Sequence, residues 1–548
     1  MRSTGESNCP SDRAPHPRQC PRRPVASAAV PHPRLPETRL PKTRLVADLL
    51  RDAANAHPDR DAYVRADKRS SYAWLDRAAD GFASTLLDRG VARGDVVVLM
   101  LPSSTKLAVC YLGALRVGAI TSAINLRLGP REQASIIART EPAVTVLGDG
   151  AMIPDGVDPG QVLPVTELKE AFEADPPARL PRVDPPDATC IVWTSGTTGV
   201  PKGAVYDHER QAAISRNVGE LTSPGDRRLV VLPFPHVGYM TRMWDELVNA
   251  TTIVLGREPW SAEETLRLIR DEAITMATGV PTQWQRVLDH PDVATTDFSG
   301  LRVAGIGAAT IPPELVRRMR ATLGCPVITR YTSTEAGVTT STLATDPPEV
   351  IAHTVGRPTT EVELRIVDAA TAVDQPDGEV GEVVSRSPAM MRGYWRDPDL
   401  TATVIDTDGW LHTGDLGFID PDGNLRLVGR LKEMYIRGGY NIYPAEVEKV
   451  LSEHPAIARA AVVGAPDPDL GEIGVAFVVP EPDGERGALA TPTLRAWCKE
   501  RLTDYKAPNR VVLVDDLPTT PMLKIDKRAL LERATAKPND HQDDKEMP

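Results

Sequence analysis

Residues 193–203 combine hydroxyl groups, glycines and one lysine in the order WTSGTTGVPKG. The hydroxyl groups supply hydrogen-bond donors, and the glycines let the backbone turn sharply and approach a ligand closely. Lys202 adds a mobile positive charge. Many donors and a cation at short range suit the charge of a polyphosphate. The residues expected to bind it are Thr194, Ser195, Gly196, Thr197, Thr198, Gly199 and Lys202.

This stretch is not a Walker A loop, which requires G-x-x-x-x-G-K-[ST]. Here Pro201 precedes the lysine and Gly203 follows it. The apolar residues 190–192 directly before the stretch predict a buried strand, so the loop is expected at a strand end. The alternative interpretation is a flexible surface turn rich in glycine and threonine.

The stretch resembles the phosphate-binding loop of the adenylate-forming enzymes, which include acyl-CoA synthetases, peptide-synthetase adenylation domains and luciferases. The resemblance recurs at separated motifs between about residue 40 and about residue 530, and it is closest to fatty-acyl and aryl-CoA ligases. By this resemblance Thr194 is also a candidate catalytic residue.

Residues 330–335, RYTSTE, resemble the segment of this family that binds adenine and magnesium. Tyr331 offers a flat face to a purine, Thr334 can bond an α-phosphate oxygen, and the Glu335 carboxylate is a hard ligand for Mg²⁺. Thr332 stands where the family usually has glycine, which predicts a narrower pocket beside the acyl group.

Residues 305–309, GIGAA, match the small-residue loop that flanks adenine and the carboxylate in the family, which adds Gly307, Ala308 and Ala309 to the nucleotide site. The alternative, without a role in ligand binding, is a tight turn from strand to helix before Pro312.

Residues 410–415, WLHTGD, and residues 429–433, GRLKE, match two further motifs. The resemblance assigns Asp415 and Arg430 to the ribose, because a carboxylate accepts hydrogen bonds well from hydroxyl groups. It assigns Lys432 to the hinge between two domains. Without the family, Asp415 and Lys432 would be read as ordinary surface charges.

Residues 437–448 resemble the loop that lines the pantetheine channel of acyl-CoA synthetases. The glycine pair at its start allows another molecule to approach the backbone closely. The residues assigned to the CoA channel are Gly438, Gly439 and Tyr440.

Lys524 matches the C-terminal catalytic lysine of the family. Leu523 precedes it where family members usually have glycine, which predicts a stiffer loop or a displaced lysine. Lys527 and Arg528 follow closely, so a generic basic start of a helix is the alternative.

Residues 233–238, PFPHVG, resemble the acid-pocket motif of acyl-CoA synthetases, with His236 as the catalytic candidate beside the carboxylate. A lone histidine is more often a packed core residue, so only its position in the motif makes His236 a functional candidate. Amino-acid-activating relatives place an aspartate here to hold the amine, which predicts an acid without an α-amino group. The expected lining is apolar and suits an alkyl, cyclic or aryl acid: Val237, Gly238, Gly279, Val280, Trp244 and Trp284.

The resemblance implies two half-reactions that use ATP, Mg²⁺ and CoA. The carboxylate attacks the α-phosphorus, giving acyl-AMP and pyrophosphate, and the CoA thiol then attacks the acyl carbonyl. Two alternatives remain open: transfer to the phosphopantetheine arm of an acyl carrier protein, and a weakly catalytic module that binds acyl nucleotides. The oligomeric state also stays open, a homodimer included.

The elements that must position these residues follow from periodicity. Residues 96–101 predict a buried strand, residues 106–117 a helix, and the residues from Ala119 a second strand. Strand–helix–strand units of this kind predict parallel sheets with helices on both faces. A later unit includes a helix predicted across residues 239–249. Alternation over residues 362–384 predicts an antiparallel β subdomain.

The predicted fold class is α/β: a large N-terminal domain of helix-flanked, mostly parallel sheets plus a small β subdomain, and a small mobile α+β C-terminal domain. A chain of 548 residues is too long for a single core, which requires at least two domains. The predicted parts are a disordered tail rich in proline and arginine, an ATP- and acid-binding domain, a mobile domain and a second tail, at residues 1–40, 41–431, 432–535 and 536–548.

The net charge of −12 argues against a nucleic-acid surface covering the whole protein. The six cysteines are scattered without a C-x-x-C pair, which disfavours structural zinc and a disulfide framework and fits a reducing cytoplasm. No apolar run approaches the ~20 residues that span a bilayer.

Overall fold

A computed structural model describes residues 44–66, 68–194, 200–309, 311–482, 486–520 and 524–536, with only the backbone of Arg486. These residues belong to one compact unit, Leu40–Pro548. Residues 195–199 of the predicted phosphate loop, Leu523 and the predicted tails, apart from Ala536, lie outside the described residues.

The strands of the described residues are numbered in chain order. They are β1 (Asp61–Arg65), β2 (Lys68–Ser71), β3 (Val96–Met100), β4 (Ile120–Ala123), β5 (Val144–Leu147), β6 (Gln161–Pro164), β7 (Ala188–Thr194), β8 (Lys202–Asp207), β9 (Arg227–Val230), β10 (Thr252–Leu255), β11 (Met276–Gly279), β12 (Val303–Gly307), β13 (Val327–Ser333), β14 (Gly337–Ser341), β15 (Arg357–Pro358), β16 (Glu363–Val367), β17 (Gly381–Arg386), β18 (Leu411–Ile419), β19 (Leu425–Arg430), β20 (Tyr435–Arg437), β21 (Tyr440–Ile442), β22 (Ile457–Asp467), β23 (Gly471–Pro480) and β24 (Arg510–Leu513).

The α-helices are numbered in the same way. They are α1 (Val46–Ala56), α2 (Tyr72–Asp88), α3 (Thr105–Arg116), α4 (Pro130–Thr140), α5 (Leu168–Glu173), α6 (His208–Asn217), α7 (Val237–Met240), α8 (Met243–Val248), α9 (Ala262–Asp271), α10 (Pro281–Leu288), α11 (Pro313–Leu323), α12 (Pro348–His353), α13 (Pro398–Ala402), α14 (Pro444–Leu451), α15 (Thr491–Lys499) and α16 (Lys527–Thr535).

Two large sheets build the N-terminal part. The first has the strand order β6-β5-β3-β4-β7-β8, and the second has the order β15-β14-β13-β12-β11-β9-β10-β1-β2. Their central strands are parallel, and every residue of β3 is buried. A parallel strand that is buried on both faces needs a cover of helices on each side, which is the arrangement predicted from the apolar runs.

The predicted β subdomain is a four-stranded antiparallel sheet, β16-β17-β18-β19. Its last two strands pair Asp415 directly with Arg430. The short connection between them therefore places a carboxylate and a guanidinium from two separate motifs side by side.

The chain after residue 434 forms its own sheet, β21-β20-β23-β22 with β24 beside β23. Two hydrophobic clusters there draw only on residues 435–534. The predicted fold class is confirmed, whereas a domain boundary near Lys432 stays a prediction. One predicted element is wrong: the helix across residues 239–249 is two short helices, since α7 ends at Met240 and α8 begins only at Met243.

Candidate active site

The base of the predicted phosphate loop lies beside Glu335. Thr194 ends β7 and pairs with Lys202 at the start of β8, so the loop connects two antiparallel strands. The ammonium nitrogen of Lys202 lies 5.5 Å from the centre of the Tyr394 ring. The Tyr394 hydroxyl in turn donates a 3.0 Å hydrogen bond to Oε1 of Glu335. Tyr394 thus bridges the lysine of one predicted motif and the carboxylate of another.

The segment that carries Tyr394 runs along β8. The backbone N–H of Val205 donates to the Gly393 carbonyl at 3.0 Å, and the N–H of Met391 donates to the Glu335 carbonyl at 2.9 Å. Tyr206 donates from its hydroxyl to the carbonyl of Thr334 at 2.5 Å. These contacts fix Thr334 and Glu335 against the strand that begins with Lys202.

Asp415 is almost fully buried and accepts two strong hydrogen bonds. The Tyr331 hydroxyl donates to Oδ2 at 2.6 Å, and Nε of Arg430 donates to Oδ1 at 2.8 Å. Burial first, and the Asp415 charge second, raise the pKa of Tyr331 well above its usual value, which keeps the phenol protonated as a donor. The predicted adenine and ribose residues therefore meet, and Tyr331 has the additional task of orienting Asp415.

Lys524 reaches this group from the C-terminal part of the chain. Burial and the charge of Arg430 lower the pKa of Lys524, and the charges of Asp415 and Glu335 raise it. The Lys524 ammonium therefore interacts electrostatically with three residues of the N-terminal motifs. Its role in catalysis stays a prediction, and so does the effect of Leu523, which lies outside the described residues.

His236 lies at the N-terminus of α7, where its Nδ1 accepts a 3.1 Å hydrogen bond from the backbone N–H of Gly238. Burial, with a smaller contribution from the Lys524 charge, lowers the pKa of His236 to about 3. The ring is therefore neutral at pH 7. Because Nδ1 is the acceptor, the single proton of the neutral ring is on Nε2.

A cavity opens where three parallel strands end, and His236 lines it. Its walls include Val231 after β9, Val280 after β11 and Ala308 after β12. Ligands of open α/β sheets bind outside the carboxyl ends of the strands. Ala308 adopts a left-handed backbone with φ of +66°, a strain of the kind that accumulates at functional sites.

The cavity brings together most of the predicted acid-pocket residues. Val237, Gly238, Gly279, Gly307 and Thr332 line it with His236 and Ala308. Glycine is required at Gly307, since a Cβ there would lie 2.8 Å from the Arg330 carbonyl oxygen. Ala309 follows Ala308 in the same loop but does not line the cavity.

Trp244 and Trp284 do not line this cavity, in contrast to the prediction. Trp244 is buried in the hydrophobic core under the first sheet. Trp284 packs behind Gly279, and its indole N–H donates to the Gly305 carbonyl at 3.0 Å. Both indoles lie in the core because the faces of α8 and α10 that carry them are directed away from the carboxyl ends of the strands.

The predicted CoA-channel residues lie on the turn between β20 and β21. Gly438 and Gly439 have positive φ angles of +56° and +85°, and the N–H of Gly438 donates to the Leu470 carbonyl. Tyr440 is exposed and stacks on Tyr505 with ring centres 4.3 Å apart. In this arrangement Lys524 faces the site, while the glycine turn contacts C-terminal residues.

The lysines near the predicted hinge have different surroundings. Lys432 is exposed in the turn between β19 and β20. Lys527 forms ion pairs with Glu433 at 2.8 Å and Glu448 at 2.9 Å. Lys527 is therefore neutralised by carboxylates of the C-terminal part of the chain, whereas the carboxylates that act on Lys524 belong to the N-terminal motifs.

Sequence reasoning missed several residues of the site. Tyr394 and Tyr206 have no motif signal, because their roles depend on which strand they lie beside. Three arginines that line the cavity were also missed: Arg228, Arg242 and Arg330. A signal for one of them existed, since Arg330 begins the segment 330–335 that was assigned to adenine and magnesium, but its side chain was given no role.

Among the described residues, no group of three or more histidine, cysteine, aspartate or glutamate side chains is placed to hold a metal ion. None of the helices within the described ranges is both long and apolar enough to cross a membrane. The cysteines in that part of the chain are free buried thiols: Cys110, Cys190, Cys325 and Cys498.

Residues 50–395 match the model of the AMP-binding enzyme family, and residues 446–524 match the model of the AMP-binding enzyme C-terminal domain. A 3-[(3aS,4S,7aS)-7a-methyl-1,5-dioxo-octahydro-1H-inden-4-yl]propanoyl:CoA ligase of Rhodococcus jostii is 35% identical over 88% of this chain and 97% of its own. The ligase of the same name from Mycobacterium tuberculosis is 37% identical over 87% and 96%.

A solved structure of a Mycobacterium tuberculosis fatty acyl CoA synthetase is 30% identical, with a TM-score of 0.69 over 90% of this chain and 98% of its own. The similarity therefore extends over both the large and the C-terminal parts of the described chain.

Proposed function

The chain belongs to the AMP-binding enzyme family, and on that premise we infer that it is an AMP-forming acyl-CoA synthetase. It activates a carboxylic acid with ATP and transfers the acyl group to the thiol of CoA. The products are acyl-CoA, AMP and pyrophosphate. Relatives named for cyclic and fatty acids support an acid of the fatty, cyclic or aryl class, without an α-amino group.

One observation carries the proposal: Lys524 from the C-terminal part lies within electrostatic range of Asp415, Arg430 and Glu335, and also of His236, which lines the cavity. A cation, polar groups suited to a nucleotide and a mostly apolar cavity close to one another support this function. Such a site joins an acid to the α-phosphate of ATP chiefly by positioning and by neutralising charge.

In the first half-reaction the carboxylate oxygen attacks the α-phosphorus, and pyrophosphate leaves. We propose that Lys524 stabilises the charge that develops on the α-phosphate oxygens, and that Thr334 and Lys202 bind the phosphates. Asp415 and Arg430 hold the ribose, with Tyr331 orienting Asp415. The neutral ring of His236 can donate one hydrogen bond to the substrate carboxylate without adding a charge.

The residues fit a magnesium–ATP complex. Mg²⁺ in nucleotide sites is usually held by one or two carboxylates together with phosphates and water, and Glu335 is a carboxylate at the expected place, fixed by Tyr394. When bound, the ion neutralises phosphate charge. Tyr394 engages Oε1 of Glu335, and we propose Oε2 as the metal ligand.

In the second half-reaction the CoA thiol attacks the acyl carbonyl, and AMP leaves. We propose that residues 432–535 turn about Lys432 between the two steps, so that Lys524 withdraws and Gly438, Gly439 and Tyr440 line the pantetheine channel. Alternation of two poses allows one pocket to serve two reactions. The open space around Gly439 supports this assignment, because no atom lies within 4 Å of a Cβ built there.

The decisive experiment is acid-dependent exchange of labelled pyrophosphate into ATP, measured with a panel of fatty, cyclic and aryl acids, followed by product analysis with CoA. Exchange with at least one acid and formation of its CoA thioester support the proposal. Exchange without turnover on CoA, but with transfer to a holo carrier protein, would reassign the acceptor. No exchange with any acid would leave only nucleotide binding.

We propose the cytoplasm as the compartment, because the free cysteine thiols of the described chain fit a reducing environment.

A further inference from the structure

Three arginines line the acid pocket, and their charges are not balanced equally. Arg228, Arg242 and Arg330 are each at least nine-tenths buried, yet all three contribute to the cavity wall. A buried guanidinium is costly unless a carboxylate or another set of acceptors compensates it. The partners of each arginine therefore decide whether the cavity itself carries a charge.

Two of the three have carboxylate partners. Arg228 forms an ion pair with Glu246 and donates to the Gly238 carbonyl at 2.9 Å. Arg242 forms an ion pair with Asp245 and donates to the Thr222 hydroxyl at 2.8 Å. These two positive charges are matched by two buried carboxylates.

Arg330 has no such partner among the residues that the structure describes. Its Nη2 donates to the Val218 carbonyl, and its Nε contacts the Ser341 hydroxyl at 3.3 Å. Asp245 and Glu220 act on it only from beyond ion-pair distance. Burial, and then the charge of Arg242, lower the pKa of Arg330 to about 9, so it remains a cation at pH 7. Because burial raises the pKa of Glu246 to about 7, the three arginines and their two paired carboxylates leave at least one excess positive charge at the cavity.

This charge lies away from the reacting end of the pocket. The backbone of Arg330 pairs with Gly307, next to Ala308, but its guanidinium extends away from there and donates to the Val218 carbonyl. Val218 packs against residues at the starts of three strands: Met276, Val303 and Ile328. Arg330 and Thr332 both line the cavity, whereas Tyr331 between them points to Asp415. His236 and Ala308 mark the edge at which the acid and nucleotide are proposed to meet. The excess positive charge is thus at the end of the cavity that would hold the part of the acid remote from its reacting carboxylate.

The wall between these two ends is apolar. Ile214, Leu221 and Val230 line it, and Gly305 keeps it open, since a Cβ there would lie 2.9 Å from Thr278 and 3.2 Å from Leu221. A hydrocarbon body fits this wall, but a hydrocarbon end would leave Arg330 with only neutral backbone and hydroxyl acceptors.

Resting on the acyl-CoA synthetase function proposed above, we propose that the preferred acid carries a second oxygen acceptor, a ketone or a carboxylate, at the end remote from the reacting carboxylate, and that Arg330 recognises it with support from Arg242. The substrate class is therefore an oxo acid or a dicarboxylic acid with an apolar middle, rather than a simple fatty acid.

The test compares octanoate, its methyl-ketone analogue of equal carbon number and octanedioate, with the same three end groups repeated at shorter and longer chain lengths. Pyrophosphate exchange is measured as kcat/KM for each acid. One charge-assisted hydrogen bond predicts a preference of about 10- to 100-fold for an oxygenated acid over its alkyl partner. A preference for the ketone indicates a neutral acceptor, and a preference for the dicarboxylate an anionic one.

The variants are Arg330→Met, Arg330→Lys and the control Arg302→Met. Arg302 also donates to backbone carbonyls, those of Glu220 and Leu221, and pairs with Asp226, but it does not line the cavity. Arg330→Met is expected to reduce the preference to about onefold, Arg330→Lys to retain part of it, and Arg302→Met to leave it unchanged. The ratio of two acids is independent of the fraction of enzyme that folds.

Exchange with alkyl acids at equal or higher kcat/KM than with the oxygenated acids overturns the inference and leaves the acyl-CoA synthetase function intact. An equal loss of preference in Arg302→Met also overturns it, because a purely structural effect then explains Arg330. If Arg330→Met does not fold, the wild-type ratio and Arg330→Lys decide. Exchange with no acid at all refutes the proposed function, and the inference with it.

Discussion

Replacing Lys524 with alanine is expected to slow acyl-AMP formation by about 10²–10³-fold, which corresponds to roughly 2.7–4 kcal/mol of barrier. Lys524 lies among Asp415, Arg430 and Glu335, and its ammonium is the charge proposed to meet the α-phosphate. Without it, the two carboxylates of this group repel the nucleotide more strongly, so the KM for ATP should also rise.

The same variant should retain the thioester step. In the second pose the C-terminal residues have turned, and Lys524 no longer faces the acyl-AMP. One assay supplies acid, ATP and labelled pyrophosphate; the other supplies synthetic acyl-AMP and CoA and follows the thioester. Lys524→Ala should fail in the first assay and work in the second.

Lys527→Ala is the matched control, three residues further along the chain. Lys527 pairs with Glu433 and Glu448, so its loss should lower the melting temperature while the rate of adenylation per folded molecule is kept. Gly439→Trp should do the reverse of Lys524→Ala by filling the proposed channel. Gly439→Ala separates this from the cost of a side chain at φ of +85°.

Equal failure of Lys524→Ala in both assays, or loss of adenylation in Gly439→Trp, would refute the alternation of two poses. Full activity of Lys524→Ala in both would remove Lys524 from catalysis. Lys527 would then be the next lysine to test, although its two ion pairs make it a poor substitute.

Three further outcomes are expected. Glu335→Gln should raise the magnesium concentration needed for half-maximal pyrophosphate exchange while circular dichroism stays unchanged; an unaltered magnesium titration would remove Glu335 from the metal site. Tyr331→Phe removes the donor to Asp415, so the KM for ATP should rise roughly tenfold, equivalent to one hydrogen bond of about 1.4 kcal/mol, and an unchanged KM would argue against this orienting role. Burial lowers the pKa of His208 from 6.5 to about 4, so the unfolded chain binds more protons in this window and the free energy of unfolding should fall by roughly 3 kcal/mol as the pH falls through it. His208→Gln should show a smaller fall in denaturant titrations, and an identical pH dependence would contradict the assignment.

Local periodicity was enough to predict several elements closely. The strand β3 and the helix α3 begin and end within one residue of the bounds predicted for them. The reason is that alternation between apolar and polar residues depends on the helical or strand repeat of the chain itself. The family resemblance assigned Asp415 and Arg430 to the same ribose, and the structure pairs them on neighbouring strands.

Motif spacing identified which residues could contact a nucleotide, but it did not reveal what holds them. Tyr394 comes to Glu335 because its segment runs beside β8, and Tyr331 reaches Asp415 across two sheets. Such contacts depend on the order of strands in a sheet, which periodicity does not encode.

The acid pocket was the part least accessible from the sequence. An apolar helix face indicates that Trp244 and Trp284 are buried, yet it does not say against which surface, and packing assigns both to the core instead of the cavity. The sequence analysis assigned no role to the three arginines that line the cavity. Arg330 is far along the chain from Arg228 and Arg242. The charge left on Arg330 arises because Arg242 pairs with its sequence neighbour Asp245 and the fold brings Glu246 to Arg228.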